Sequence, residues 1–220
     1  MQQRPAFYRD PWMAVTALSA LGFFAIALLV NGQAPVWLDA PVSSAVRALP
    51  VPADAWLAIT QAGGLFLVLV AAALVVALVA LGRLRIALVV GLALVASFIM
   101  TDAVKVFVAR PRPPDPIAPY SGYSFPSGHT LNSTVTYGIA ALLIWRSGLS
   151  PRVRGAAVAG LVALIGAVGL SRIGLGVHYP SDVVAGWLAG TTIVGIVALA
   201  DRADRARVAR SGVSRPSRRR

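Results

Sequence analysis

The stretch "SRIGLGVHYPSD", residues 171–182, places an arginine, a histidine and an aspartate in one short segment between two long apolar runs. A histidine four positions before a carboxylate reads as capping, as ion pairing or as chemistry. Pro180 suits the first turn of a helix, because its missing N–H would be unpaired there anyway. An apolar helix is therefore expected to start beside His178, while another ends near Ser171.

Working outward, the chain has 220 residues and is 57% hydrophobic, more apolar than a soluble core of that size needs. Six segments have roughly the ~20-residue length that crosses a hydrocarbon core: about 12–30, 58–81, 85–106, 130–145, 153–171 and 183–200. The expected fold class is an all-α integral membrane bundle of six transmembrane helices, forming a single domain over residues 1–200. The first segment follows Arg4 and Arg9 and could pass for a signal peptide. Its apolar core is longer than the usual h-region and no small-x-small cleavage site follows, so it reads as a retained helix.

Composition excludes several chemistries. There is no cysteine, hence no disulfide, thiolate nucleophile or cysteine metal site. There is no glutamate either, and the eight acidic residues are scattered aspartates, a poor basis for a two-metal carboxylate site.

The net charge of +12 invites a nucleic-acid reading, but most basic residues fall on one side of a six-span chain. Arg4 and Arg9, Arg83 and Arg85, Arg146, Arg152 and Arg154, and the arginines after residue 200 share that side. By the positive-inside rule both termini are cytoplasmic, and no nucleic-acid partner is needed to explain the charge. The tail 201–220 is expected to be basic, disordered and close to anionic headgroups. Five basic residues remain on the outer side: Arg47, Lys105, Arg110, Arg112 and Arg172.

The first outer loop, about 31–57, is broken by prolines, with Trp37 and Trp56 as interfacial anchors and a short amphipathic piece around 40–48. The second, "ARPRPPDPIAPYSGYSFPSGHT" (109–130), is proline-dense and must be held by its neighbours. No internal repeat suggests an inverted-repeat transporter.

The only lysine, Lys105, and the only histidines, His129 and His178, all sit at outer ends of spans, close to Arg112 and Arg172. Each has a plain reading. Asp102 and Lys105, at i and i+3, could be an ion pair; Ser127 could simply cap span four; "RPRPP" could be an ordinary basic loop. All these readings would have to hold at once at one membrane face.

At these residues the chain resembles the type-2 phosphatidic acid phosphatases, which share their site with vanadium-dependent haloperoxidases and bacterial acid phosphatases. "KVFVARPRP" (105–113) is similar to the family's Lys, six residues, Arg-Pro. "PSGH" (126–129) matches the second motif, and 171–182 matches Ser-Arg, five residues, His, three residues, Asp. The motif core is 105–182.

The resemblance implies a metal-independent membrane lipid phosphatase that acts through a phosphohistidine and needs no cofactor. His178 would be the nucleophile, Asp182 its orienter, and His129 the acid and base. Lys105, Arg112 and Arg172, with the Ser127–Gly128 backbone, would bind the phosphoryl group. That division of labour matches what phosphoryl transfer needs: positive charge on the non-bridging oxygens, an in-line nucleophile and a proton for the leaving oxygen. The implied partners are the bilayer and a lipid phosphate or diphosphate: phosphatidic acid, phosphatidylglycerol phosphate or undecaprenyl diphosphate. The site would lie at the extracytoplasmic face of the cell membrane, with the 31–57 loop helping to select substrate. Two other readings stay open, a vanadate-dependent haloperoxidase and a non-catalytic lipid-phosphate binding or transport protein. Retention of both histidines and Asp182 weighs against the latter, since binding alone needs only the cations.

Overall fold

A computed structural model describes residues 10–30, 35–117 and 120–213, with side chains up to 207. Among the described residues there are eight helices and no strand. They are α1 (Pro11–Leu29), α2 (Asp39–Arg47), α3 (Ala53–Gln61), α4 (Leu65–Ala80), α5 (Leu84–Val108), α6 (Gly128–Trp145), α7 (Pro151–Gly174) and α8 (Pro180–Val213). The starts follow local chemistry. Asp10 accepts from the Trp12 N–H at 3.1 Å and Ser150 from the Val153 N–H at 3.5 Å, each just before a proline that opens its helix.

Five helical stretches are long and apolar enough to cross a membrane: Pro11–Leu29, Ala53–Ala80, Leu84–Val108, Pro151–Gly174 and Pro180–Arg207. The expected sixth, now α6, falls short in apolarity for a physical reason. Its N-terminal part carries Thr130, Asn132, Ser133, Thr134, Thr136 and Tyr137, all buried. α6 packs against α4, α5, α7 and α8, so protein rather than lipid surrounds it, and polar side chains are tolerated there. Leu18, Leu21 and Leu28 of α1, and Leu92 and Ile99 of α5, by contrast, are exposed at the periphery.

The contact between α6 and α8 depends on small residues. A Cβ at Gly190 would lie 2.5 Å from Thr134 Cβ, so only glycine permits this approach. Leu131, Val135 and Ile139 of α6 and Val197 and Ala198 of α8 complete the core there.

Span two is not continuous. The segment expected over 58–81 breaks at residues 62–64, between α3 and α4. Tyr137 Oη donates to the Ala62 carbonyl at 2.5 Å, satisfying an acceptor near the break. A Cβ at Gly63 would meet Val168 Cγ1 at 2.8 Å and His129 Cδ2 at 3.1 Å. The break therefore brings α3 against α7. Trp56 lies buried there over Gly174 and is not an interfacial anchor, whereas Trp37 is exposed.

The tail also differs from expectation. α8 continues to Val213 instead of ending in a disordered segment at Asp201; residues 214–220 lie outside the described residues. Asp201 is buried and accepts from Arg83 Nη2 at 2.5 Å, from Arg205 Nε at 2.9 Å and from Arg146 Nη1. One carboxylate thus joins the α4–α5 turn, the end of α6 and α8.

Candidate active site

The segment 109–127 links α5 to α6, and its own arginines hold it. Ala109, in the left-handed region at φ 50°, caps the end of α5, and its N–H donates to the Lys105 carbonyl at 2.9 Å. Beyond it the chain is pinned by Ser124 N–H to the Arg110 carbonyl (2.9 Å) and Ile117 N–H to the Leu175 carbonyl (2.9 Å). Arg112 Nε donates to the Gly122 carbonyl (3.0 Å), Nη2 to that of Ser121 (3.1 Å) and Nη1 to that of Val177 (2.8 Å). Nη1 also lies 3.2 Å from His178 Nε2.

His178 follows the last turn of α7, where the Arg172 carbonyl accepts from the N–H groups of Val177 and His178. α8 begins at Pro180, as the sequence indicates, and puts Asp182 in its first turn. His178 Nδ1 lies 3.4 Å from Asp182 Oδ2, in contact but without the alignment of a hydrogen bond. Arginine only donates, so Arg112 makes Nε2 the acceptor and puts the ring proton on Nδ1, facing Asp182. Burial holds the His178 pKa well below the ordinary value, at about 4; Asp182 opposes the shift, while Arg172 and Arg112 reinforce it. The imidazole is neutral at pH 7. Arg112 is also shifted down, first by burial and then by Arg172.

The second motif is tied to the third. The Ser127 N–H donates to the Asp182 carbonyl at 3.1 Å, so the expected Ser127 backbone donor is already committed. Ser127 is the N-cap residue of α6, yet its side chain makes no capping bond and instead accepts from Thr130 Oγ1 at 2.9 Å. Gly128 is the first residue of α6, and the helix itself makes no use of its N–H. Lys105 Nζ lies 3.7 Å from where a Gly128 Cβ would be. Asp102 is exposed and lies beyond ion-pair distance of Lys105, while still acting on its charge.

Arg172 is buried, with Nη1 donating to Thr60 Oγ1 at 2.6 Å and to Tyr120 Oη at 3.1 Å. Its guanidinium lies 4.4 Å from the Tyr120 ring centroid and that of Arg112 at 5.7 Å. The Tyr120 ring meets the His129 ring edge-on at 6.4 Å. His129 lies against the α3–α4 break, its Nε2 3.8 Å from where a Gly64 Cβ would be. All eight residues singled out in the sequence therefore join one cluster. The sequence missed Tyr120 and Thr60, which position Arg172, and also Asp39 and Arg110, which flank Asp182. Only Arg110 carried a signal, as an outer-side cation without a topological reason. Among the described residues no group of three histidines, cysteines or carboxylates could hold a metal ion.

Residues 86–205 match the PAP2 superfamily model. The chain belongs to the PAP2 superfamily. It is 32% identical over 103 residues to phosphatidylglycerophosphatase B of Bacillus subtilis, covering 45% of this chain and 50% of that protein. It is 34% identical over 115 residues to undecaprenyl-diphosphatase of Sulfolobus acidocaldarius, covering 47% and 52%. The matches thus span about half the length of these relatives. Among solved structures, it superposes on the transmembrane PAP2-type phosphatidylglycerolphosphate phosphatase of Bacillus subtilis with a TM-score of 0.72 at 22% identity. That match covers 86% of this chain and 96% of the other. The likeness establishes the fold.

Proposed function

We propose that this chain is a membrane lipid phosphatase that hydrolyses a lipid phosphate or diphosphate through a phosphohistidine on His178. The carrying observation is the orientation of that ring: Nε2 faces the Arg112 guanidinium and Nδ1 faces Asp182, at 3.2 and 3.4 Å. A pure binding site needs the cations but has no use for a neutral, oriented imidazole among them. The names of the relatives, which include a phosphatidylglycerophosphatase and an undecaprenyl-diphosphatase, support the substrate class.

In this reading the phosphoryl group displaces the Arg112–His178 contact, and its non-bridging oxygens take the guanidinium fork of Arg112, the Lys105 ammonium and the Arg172 charge. The Gly128 N–H at the start of α6 adds a further donor. His178 Nε2 attacks phosphorus as the bond to the lipid oxygen breaks, and His129, protonated when the phosphoryl anion enters the site, delivers a proton to that oxygen. Neutral His129 then takes a proton from water, whose oxygen attacks phosphorus and breaks the P–N bond. Inorganic phosphate leaves and His178 is restored. Asp182 stabilises the imidazolium character that develops on His178, and the fixed cations offset the phosphoryl charge without a metal. With both termini cytoplasmic, the site opens at the extracytoplasmic face.

The test is phosphate release by detergent-solubilised protein in EDTA from phosphatidic acid, phosphatidylglycerol phosphate and undecaprenyl diphosphate, beside His178→Ala. Release that vanishes in the variant is expected. Activity that disappears in EDTA and returns with magnesium argues for a different chemistry.

A further inference from the structure

Arg110 occupies a variable position of the first motif and has no role in the scheme above, yet its side chain is wholly buried. We propose that Arg110 and Asp39 are positioning residues, a buried carboxylate–guanidinium–carboxylate relay that fixes Asp182 against the nucleophile. The role in turnover rests on the phosphohistidine reading; the role in holding the His178 ring does not.

The geometry is specific. Arg110 Nη1 donates to Asp182 Oδ1 at 2.5 Å and to Ser181 Oγ at 2.8 Å, and Nη2 donates to Asp39 Oδ2 at 2.7 Å. The guanidinium stacks 4.2 Å from the Tyr179 ring centroid. Asp39 in turn reaches the start of α8, its Oδ1 accepting from the Ser181 N–H and its Oδ2 from Ser181 Oγ, both at 2.9 Å. Oδ2 also accepts from the Val36 N–H at 2.8 Å, which ties in the chain just before α2. One of the N–H groups that α8 leaves unpaired is thereby capped by a residue 142 positions away.

The consequence for Asp182 is directional. Its Oδ1 is engaged by Arg110, so the carboxylate plane is set from behind. Oδ2 accepts from the Tyr179 N–H at 2.9 Å and is left facing His178 Nδ1. The guanidinium also draws on the charge that Asp182 would otherwise present to the imidazole. Asp182 remains an orienter, and His178 keeps Nε2 free of a proton for attack. Burying three charges is costly, and removing one partner would leave an uncompensated carboxylate, so the arrangement is a poor choice for simply tying α2 to α8.

The charged and titratable groups around His178 are Asp182 of α8 and Tyr179 just before it, Arg112 from the 109–127 segment, Arg172 from α7 and His129 from α6. Because the chain has only two histidines, His129→Asn leaves His178 as the single imidazole for nitrogen-15 NMR in detergent. In that background the relay is neutralised as Asp39→Asn with Arg110→Gln. The expected result is a His178 titration that moves up by roughly one unit, since Asp182 regains its full charge toward the ring. Turnover in the chain with native His129 should fall on the order of 10²-fold, the scale of a small misplacement of a reacting group. KM should stay within about twofold, because the phosphate-binding cations are untouched.

Arg110→Lys is the second variant and carries the test alone if the double variant does not fold. It keeps the charge but cannot bridge both carboxylates, so kcat should fall with a smaller change in titration. A folded variant with unchanged His178 titration and unchanged kcat overturns the proposal, whatever its thermal stability. If wild-type protein releases no phosphate from any lipid but the titration still moves, the phosphatase reading fails and the relay stands.

Discussion

Tyr120 Oη accepts a hydrogen bond from Arg172 Nη1 at 3.1 Å while its ring lies 4.4 Å beneath the same guanidinium. A buried arginine is thus held by one residue through both its edge and its face, with Thr60 as the second acceptor. Tyr120→Phe keeps the stacking and loses the acceptor. A hydrogen bond to a charged group contributes about 1.5–3 kcal/mol, so kcat/KM should fall roughly ten- to a hundredfold. Steady-state kinetics on a soluble short-chain phosphatidic acid would check this, and an unaltered kcat/KM removes Tyr120 from the site.

Arg112 holds three loop carbonyls and faces His178, so its planar fork has two tasks. Arg112→Lys should lose most turnover despite the retained charge, because an ammonium cannot match the bidentate geometry. Turnover within twofold of wild type, measured in the same assay, would contradict the assignment.

The His178 pKa, depressed to about 4 by burial, fixes the sign of two pH effects. The unfolded chain, with an ordinary histidine near 6.5, binds more protons between those values than the folded one. Stability from this group is therefore complete above about pH 6.5 and is lost as pH falls toward 4. In kcat/KM, the acid limb expected from His178 as the proposed nucleophile should likewise lie below the ordinary histidine range. Single-turnover rates across pH 4–8 test the point, and a limb from His178 at or above 6.5 would rule out a neutral buried ring.

At the opposite end of the bundle, Asp201→Ala should strip Arg83, Arg146 and Arg205 of their shared partner. These arginines are partly exposed, so solvent softens the loss to roughly 1–3 kcal/mol. The thermal midpoint in detergent should fall while kcat per folded molecule holds. A fall in kcat at constant stability would link this end to the chemistry.

Much of the site was legible because its residues are unusual for a membrane chain. A lone lysine, two histidines and two arginines at span ends have few structural uses, and three spaced motifs order them. Most of the fold was legible for the same reason, since lipid-facing helices need long apolar runs. α6 lies outside that rule: Thr130 to Tyr137 are buried against protein, so its composition does not mark it as a span. The 62–64 break carried one local signal, the Gly63–Gly64 pair inside an apolar run, while the residues it approaches, His129 and Val168, are distant in sequence. Asp39 and Asp201 stood out from the scattered aspartates by no signal of their own. Arg110 lies 71 positions from Asp39, and Arg146 and Arg83 lie 55 and 118 from Asp201, beyond any local pattern; only Arg205, at i+4 from Asp201, is near in sequence.

The central claim is the covalent bond to His178. The most direct measurement is rapid quenching of the enzyme with phosphorus-32-labelled phosphatidic acid in EDTA, followed by alkaline gel separation of the protein. The account predicts a protein-bound label that is stable in alkali, labile in acid and absent from folded His178→Ala. A label that persists in that variant, or phosphate release by it at the wild-type rate, would contradict the account.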